Sequence, residues 1–268
     1  MVPTMFQLLL GHPKFSSFDL SSLRMITYGA APMPMALMRR IIRAFPGADI
    51  YQSFGMTEAS PVVTVLDCSY HNLDDSNQKL LSSVGKPVPY VELKIFDEDN
   101  REMACGEIGE IVVRGPNIMK GYWQLPELSQ QSLEGGWYHT GDAGYLDQQG
   151  FLYLEGRVKD MIVSGGENVY PIEVENVLSD HPAVHQCAVI GIPHATRGEA
   201  VHGVISLQKG ESASESELIG FCRERLAHYK CPVSVSIWKE SLPLSAVNKI
   251  LKSELRKPFW EGHKSQLD

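Results

Sequence analysis

The sequence predicts a mixed α/β and α+β chain in two parts, and three textures predict it. An amphipathic helix beside a short strand marks an α/β beginning. A run of short alternating strands fills the middle, and helices alternate with strands over the rest of the chain.

Leu37–Phe45 (LMRRIIRAF) spaces its apolar residues at helical intervals, and Pro46-Gly47 stops it. Ile50–Phe54 reads as a strand and Pro61–Leu66 as another, while polar Asn72–Lys79 reads as a loop. Val91–Phe96 alternates, Asp97–Asn100 is a turn, and Gly109–Arg114 is a strand. Trp137–Leu146 and Phe151–Glu155, joined by Asp147–Gly150, form an expected hairpin. Beyond Gly156-Arg157, helices are expected at Pro171–Leu178, Glu215–Leu226 and Lys249–Arg256, and strands at Cys187–Ile192, Val201–Leu207 and Val233–Trp238. A serine of Ser212–Ser216 is placed to cap the middle helix. The texture changes at Arg157–Asp160. The expected domains are therefore residues 1–156, with an α/β part to about 82 and a β-rich part from about 83, and residues 157–268, a small α+β domain.

With 43% hydrophobic residues among 268, the chain can bury a core. A net charge of -8 repels nucleic acid and anionic lipid, so neither is expected as a partner. Its 5 cysteines include no CxxC pair, which argues against a disulfide framework or a zinc site and fits the reducing cytoplasm. No apolar run is long enough for a bilayer span, and Met1–Leu10 lacks the basic start and cleavage site of a leader.

Five strings carry candidate chemistry. Tyr28-Gly29-Ala30-Ala31-Pro32 sets small residues after a strand, where a flat ligand can approach the backbone; alone it is as well read as a tight turn. Tyr51–Glu58 (YQSFGMTE) combines a ring for a base, a hydroxyl for a phosphate and a carboxylate for Mg²⁺; the plain alternative is a helix start with Thr57 as its cap. Gly136–Asp142 (GWYHTGD) ends in Thr140-Gly141-Asp142, which offers a carboxylate for two ribose hydroxyls, or an ordinary β-turn aspartate. Gly156–Pro171 holds Arg157, suited to ribose or phosphate, and Ser164-Gly165-Gly166, which leaves the backbone open to something narrow. Pro243–Ile250 places Lys249 on a loop from which its ammonium could reach a developing negative charge; alone it is better read as an ordinary surface lysine.

In this order and spacing the five strings resemble the adenylate-forming superfamily of acyl- and aryl-CoA synthetases, luciferase-like enzymes and peptide-synthetase adenylation domains. The resemblance runs from Val2-Pro3-Thr4 onward, and Ser164–Glu175 looks most like CoA ligases of fatty or aromatic acids. It implies the C-terminal part of a large domain, a partial α/β sheet plus a distorted β-barrel, followed by a small mobile domain. It implies ATP/AMP, Mg²⁺ and coenzyme A as cofactors and a carboxylic acid as substrate; a homo-oligomer stays open. Gly29, Ala30, Ala31 and Pro32 would line the adenine and acyl pocket. Phe54, beside Gly55, would stack on adenine where relatives have tyrosine. Thr57 would meet the α-phosphate, Glu58 would bind Mg²⁺, and Asp142 and Arg157 would hold ribose. Lys159 would be the hinge, Gly165 and Gly166 the pantetheine track, and Lys249 the catalytic lysine of adenylation.

Three departures stand out. Asn248 replaces the usual glycine before the lysine, and Arg197 stands where an aromatic is frequent. The Ser/Thr/Gly-rich loop ending in Pro-Lys-Gly is absent; it is expected upstream of Met1, so these residues alone are expected to be inactive. The expected whole enzyme forms acyl-AMP and passes the acyl group to CoA. The rival readings are delivery to a carrier-protein thiol or to oxygen, and a non-catalytic nucleotide-binding fragment.

Overall fold

The computed structural model describes residues 1–31, 33–73, 79–245 and 250–261. It divides into two compact units, Met1–Leu154 and Glu155–Asp268.

The first unit begins with α1 (Pro3–Gly11), whose proline sits in the opening turn, where no amide donor is missed. A strand–helix–strand unit follows: β1 (Met25–Gly29), α2 (Met35–Ala44) and β2 (Asp49–Phe54). The crossover helix makes β1 and β2 parallel, in register from Met25↔Asp49 to Gly29↔Ser53. Leu37, Met38 and Ile41 on one face of α2 bury against Phe6, Ile26, Tyr28 and Ile50. Two short antiparallel strands, β3 (Thr64–Leu66) and β4 (Lys86–Pro87), complete the order β1-β2-β3-β4.

The β-rich part is a four-stranded sheet of β5 (Glu92–Phe96), β6 (Gly109–Arg114), β7 (Tyr138–Leu146) and β8 (Leu152–Arg157), in that order. The expected barrel does not close, because β5 and β8 are the two ends of the sheet. Ile95, Ile111, Val113, Tyr138 and Leu152 instead pack with Ala59, Val63 and Val84. The Val84 amide donates to the Leu152 carbonyl and the Leu152 amide to that of Gly85, which ties β8 to the segment leading into β4. A helix the sequence reading missed, α3 (Pro126–Ser132), lies between β6 and β7; its polar composition hid any periodic face.

The second unit runs β9 (Ile162–Ser164), β10 (Glu167–Val169), α4 (Pro171–Ser179), β11 (Val184–His194), β12 (Gly198–Leu207), α5 (Glu215–Arg223), β13 (Ser234–Trp238) and α6 (Lys252–Trp260). The sheet order is β10-β9-β12-β11, with β13 parallel to β12. β11 and β12 pair as far as His194↔Gly198, beyond the apolar stretches that revealed them. Val174 and Leu178 of α4, with Leu218 and Cys222 of α5, pack on Val189, Val201 and Ile205. Ser214 caps α5 in a reciprocal box with Glu217, whose amide lies 3.2 Å from the serine oxygen. α6 starts at Lys252, and Lys249 lies outside the described residues.

Candidate functional site

Parallel β1 and β2 end side by side at Gly29 and Ser53, the kind of strand-end crevice where open α/β sheets bind ligands. A side chain at position 29 would run into the Ser53 carbonyl oxygen, so glycine there answers first to strand packing. Ala30 follows in the left-handed region at φ 66°, and Ala31 is half-buried; Pro32 lies outside the described residues. Tyr28 turns inward. Its hydroxyl donates to Gln52 Oε1 at 3.1 Å and sits 3.1 Å from His71 Nε2, and burial raises its pKa. At the end of β2, Phe54 is half-buried on the cluster that contains Tyr138. A Cβ at Gly55 would meet the Pro61 carbonyl oxygen, so that glycine also serves the chain's return toward β3.

Thr57 and Glu58 lie in a single 3₁₀ turn, Thr57–Ala59. Thr57 is exposed, and the cap position falls on Met56 with no side-chain bond, so the helix cap weighed for Thr57 does not form. Glu58 is oriented from a distant loop. Its Oε1 accepts from the Tyr122 hydroxyl at 2.9 Å, and its backbone carbonyl accepts from the Met119 amide at 2.7 Å. Burial raises the pKa of Tyr138, helped by a bond to Tyr122 and by the charges of Glu58 and Asp142. Two carboxylates 84 residues apart (142 − 58) thus share the neighbourhood of one buried tyrosine. Sequence reading named both acids, but it gave no role to Tyr138 and passed over Tyr122.

Asp142 lies in a strand, not in a β-turn. β6 and β7 pair at Glu110↔Ala143 and again at Val112↔His139, so Thr140, Gly141 and Asp142 bulge opposite Ile111. Each residue of the motif has a separate task. The Thr140 hydroxyl donates to the Ile111 carbonyl at 2.7 Å and accepts from the Asp142 amide at 3.1 Å. Gly141 takes φ 68°, where a side chain would be strained. Asp142 then supplies the carboxylate. The Gly141 amide, out of register with the ladder, donates to Glu110 Oε1 at 2.9 Å.

In the second unit, Arg157 ends β8, and Lys159 lies in the 3₁₀ turn Val158–Asp160; both are exposed. Ser164 pairs with Glu167, so Gly165 and Gly166 form a two-residue hairpin turn with φ 63° and 87°. Positive φ at both centres is what such tight hairpins demand, hence Gly-Gly. The turn is exposed, and the Gly165 amide donates to the Arg197 carbonyl at 2.9 Å. Beneath it Glu199 is buried. It accepts from the Val163 amide at 3.3 Å and from Arg256 at 3.4 Å, and burial raises its carboxyl pKa.

Among the described residues no three His, Cys, Asp or Glu side chains converge, so a metal at Glu58 would draw its remaining ligands from phosphate and water, the usual manner of Mg²⁺. Among the same residues no helix is long and apolar enough to cross a membrane.

Two family models match: AMP-binding enzyme over residues 1–123, and AMP-binding enzyme C-terminal domain over residues 173–249. A feruloyl-CoA synthase of Amycolatopsis sp. is 42% identical over 258 residues, covering 96% of this chain and 51% of the relative. A long-chain-fatty-acid–CoA ligase of Bacillus subtilis is 40% identical over 262 residues, covering 97% and 45%. The solved amide bond synthetase of Marinactinospora thermotolerans superposes with a TM-score of 0.87 at 34% identity, covering 97% of this chain and 51% of that one. The chain thus spans about half the length of the curated relatives it matches.

Proposed function

We infer the activity from one premise: the chain belongs to the adenylate-forming, AMP-binding enzymes. The protein that these residues complete is an acyl-CoA synthetase. A carboxylate oxygen attacks the α-phosphorus of ATP and pyrophosphate leaves, giving acyl-AMP. The thiol sulfur of CoA then attacks the acyl carbon and AMP leaves.

The gathering of Glu58 and Asp142 around Tyr122 and Tyr138 carries this reading. Asp142 accepts from the ribose hydroxyls, with Arg157 contributing. Thr57 donates to the α-phosphate. Phe54 stacks on adenine in a pocket floored by Gly29, Ala30 and Ala31. Tyr122 keeps Glu58 turned toward a site where Mg²⁺, when bound, neutralises phosphate charge. Lys249 stabilises charge as the adenylate forms. Residues 1–156 form the C-terminal part of the large domain and 157–268 the small domain. That small domain swings about Lys159 between the two steps, replacing Lys249 by Gly165-Gly166.

The acid is a fatty acid in first place and an aromatic acid in second. Relatives named for each support both. A second reading keeps the adenylate and changes the acceptor, to an amine or a carrier-protein thiol; the likeness to an amide bond synthetase favours it. The Ser164–Glu175 string favours CoA. The test is a full-length enzyme containing this region, given ATP, a panel of short, medium, long and aromatic acids, and CoA or an amine. Acid-dependent CoA thioester is expected. Adenylate formation with amide but no thioester would transfer the assignment to the second reading. The 268 residues by themselves, lacking a Pro-Lys-Gly loop, are expected to give no ATP–pyrophosphate exchange above background.

A further inference from the structure

The register between β6 and β7 loses two steps across the Thr140–Asp142 bulge, and lost register leaves amides to satisfy. Thr140 takes the Asp142 amide. The Gly141 amide has no ladder carbonyl, and Glu110 meets it from the neighbouring strand. The other oxygen of Glu110 lies 2.8 Å from His139 Nδ1, so one carboxylate grips β7 on both sides of Thr140. The two side chains are only 25% and 15% exposed, and the His139 ring packs edge-on to Phe96 at 6.5 Å. A strand glutamate anchored at both oxygens is not a loose surface charge. Among the described residues its carboxylate bonds to the bulge residue next to Asp142 and to the strand residue that enters the bulge.

We propose that Glu110 is a positioning residue that holds the Thr140–Asp142 bulge in the one geometry from which the Asp142 carboxylate receives both ribose hydroxyls. This rests on the ribose role proposed for Asp142. Without Glu110, Gly141 is free to leave φ 68°, and the bulge can rearrange and carry the Asp142 carboxylate away from the ribose hydroxyls. Thr140 alone then secures only one end.

The test compares AMP with 2′,3′-dideoxy-AMP on the 268-residue chain, with affinities read by ligand-observed NMR. The unaltered chain is expected to prefer AMP by roughly tenfold or more, the worth of hydrogen bonds to a charged group. Glu110→Ala is expected to bring AMP down to the level of dideoxy-AMP while leaving dideoxy-AMP unchanged, as is Asp142→Ala. Glu110→Gln is expected to restore the preference, because its amide oxygen still accepts from Gly141 and its amide nitrogen can donate to His139. Should Glu110→Ala fail to fold, Glu110→Asp, one methylene short of the bulge, is expected to lose part of the preference. An intact preference in Glu110→Ala or Glu110→Asp, with loss in Asp142→Ala, overturns the clamp and leaves the ribose role standing. An equal fall for both nucleotides in the Glu110 variants overturns it too, as a purely structural effect. An unaltered chain that binds both alike, or neither, overturns the ribose role and the clamp with it.

Discussion

Gly141 and Gly165 share a positive φ, 68° and 63°, yet the segments around them are built in opposite ways. The Thr140–Asp142 bulge is tied to the neighbouring strand by side chains: Glu110 of β6 takes the Gly141 amide, and Thr140 of the bulge itself donates to the Ile111 carbonyl. The Gly165-Gly166 turn is held through backbone alone, the Gly165 amide donating to the Arg197 carbonyl, and no atom lies within 4 Å of a Cβ built at Gly166. One segment is anchored into its ladder by side chains, and the other stands exposed. On the proposed function, the first holds a nucleotide present in both half-reactions. The second unit serves the two half-reactions with different groups. Variants of the Thr140–Asp142 bulge should therefore slow both steps, and variants of Lys249 or of the Gly165-Gly166 turn should split them.

The sharpest split is expected from Lys249→Ala in a full-length enzyme containing this region. Adenylate formation should fall by roughly 10²–10³, the usual cost of losing a positioned charge donor, while thioester formation from synthetic acyl-AMP persists. Lys252 is an unsuitable control, because its ammonium is 2.7 Å from Glu175 in a half-buried pair. Lys257, exposed on α6, is the better one. Intact pyrophosphate exchange in Lys249→Ala would remove the lysine from the mechanism.

Asp142→Ala should fail the other way. Loss of hydrogen bonds to a charged group costs about 1.5–3 kcal/mol, roughly 10- to 100-fold, and it should appear in both half-reactions. A loss confined to one half-reaction would break the comparison between the two segments.

Turn and track can be separated at Gly166. Valine there would be strained at φ 87° by about 1–2 kcal/mol and should lower the melting temperature. Asparagine tolerates the left-handed region and should leave melting nearly unchanged. Both add a side chain to the open face, so both should slow thioester formation and spare adenylation. Normal thioester formation in Gly166→Asn would confine the glycines to turn geometry.

The smallest effect concerns pH. Burial lowers the pKa of His202, with Glu215 acting weakly against it, and its two nitrogens face Ser234 and Ser236 at 2.7 and 3.0 Å. A lowered folded pKa means that the unfolded chain takes the proton first. The stability this burial contributes is present above the ordinary histidine value of about 6.5 and is lost as pH falls through the folded value. His202→Gln cannot titrate, so the gap in melting temperature between the original protein and the variant should narrow from pH 7.5 to 5.5. A constant gap would show that His202 does not contribute.

Much of this architecture could be read locally. The α2 periodicity, the capping box at Ser214 and Glu217, and the Gly165-Gly166 turn each lie within a few residues, where backbone preference acts directly. The motif residues Glu58 and Asp142 were legible because they stand in ordered strings. Their supporting residues were not. Glu110 is 31 residues from Gly141, and Tyr122 is 64 from Glu58. A lone strand glutamate and a loop tyrosine carry no spacing signal.

The amino-acid order alone therefore determined which chemical groups are present, which short segments turn or coil, and the family to which they belong. The tertiary structure decided that Thr-Gly-Asp is a strand bulge and not a β-turn, that the middle sheet stays open, and which groups orient the two carboxylates. The reason is physical. Torsional preference and capping act between near neighbours, whereas an out-of-register amide finds its partner only after β6 and β7 have paired across more than twenty intervening residues.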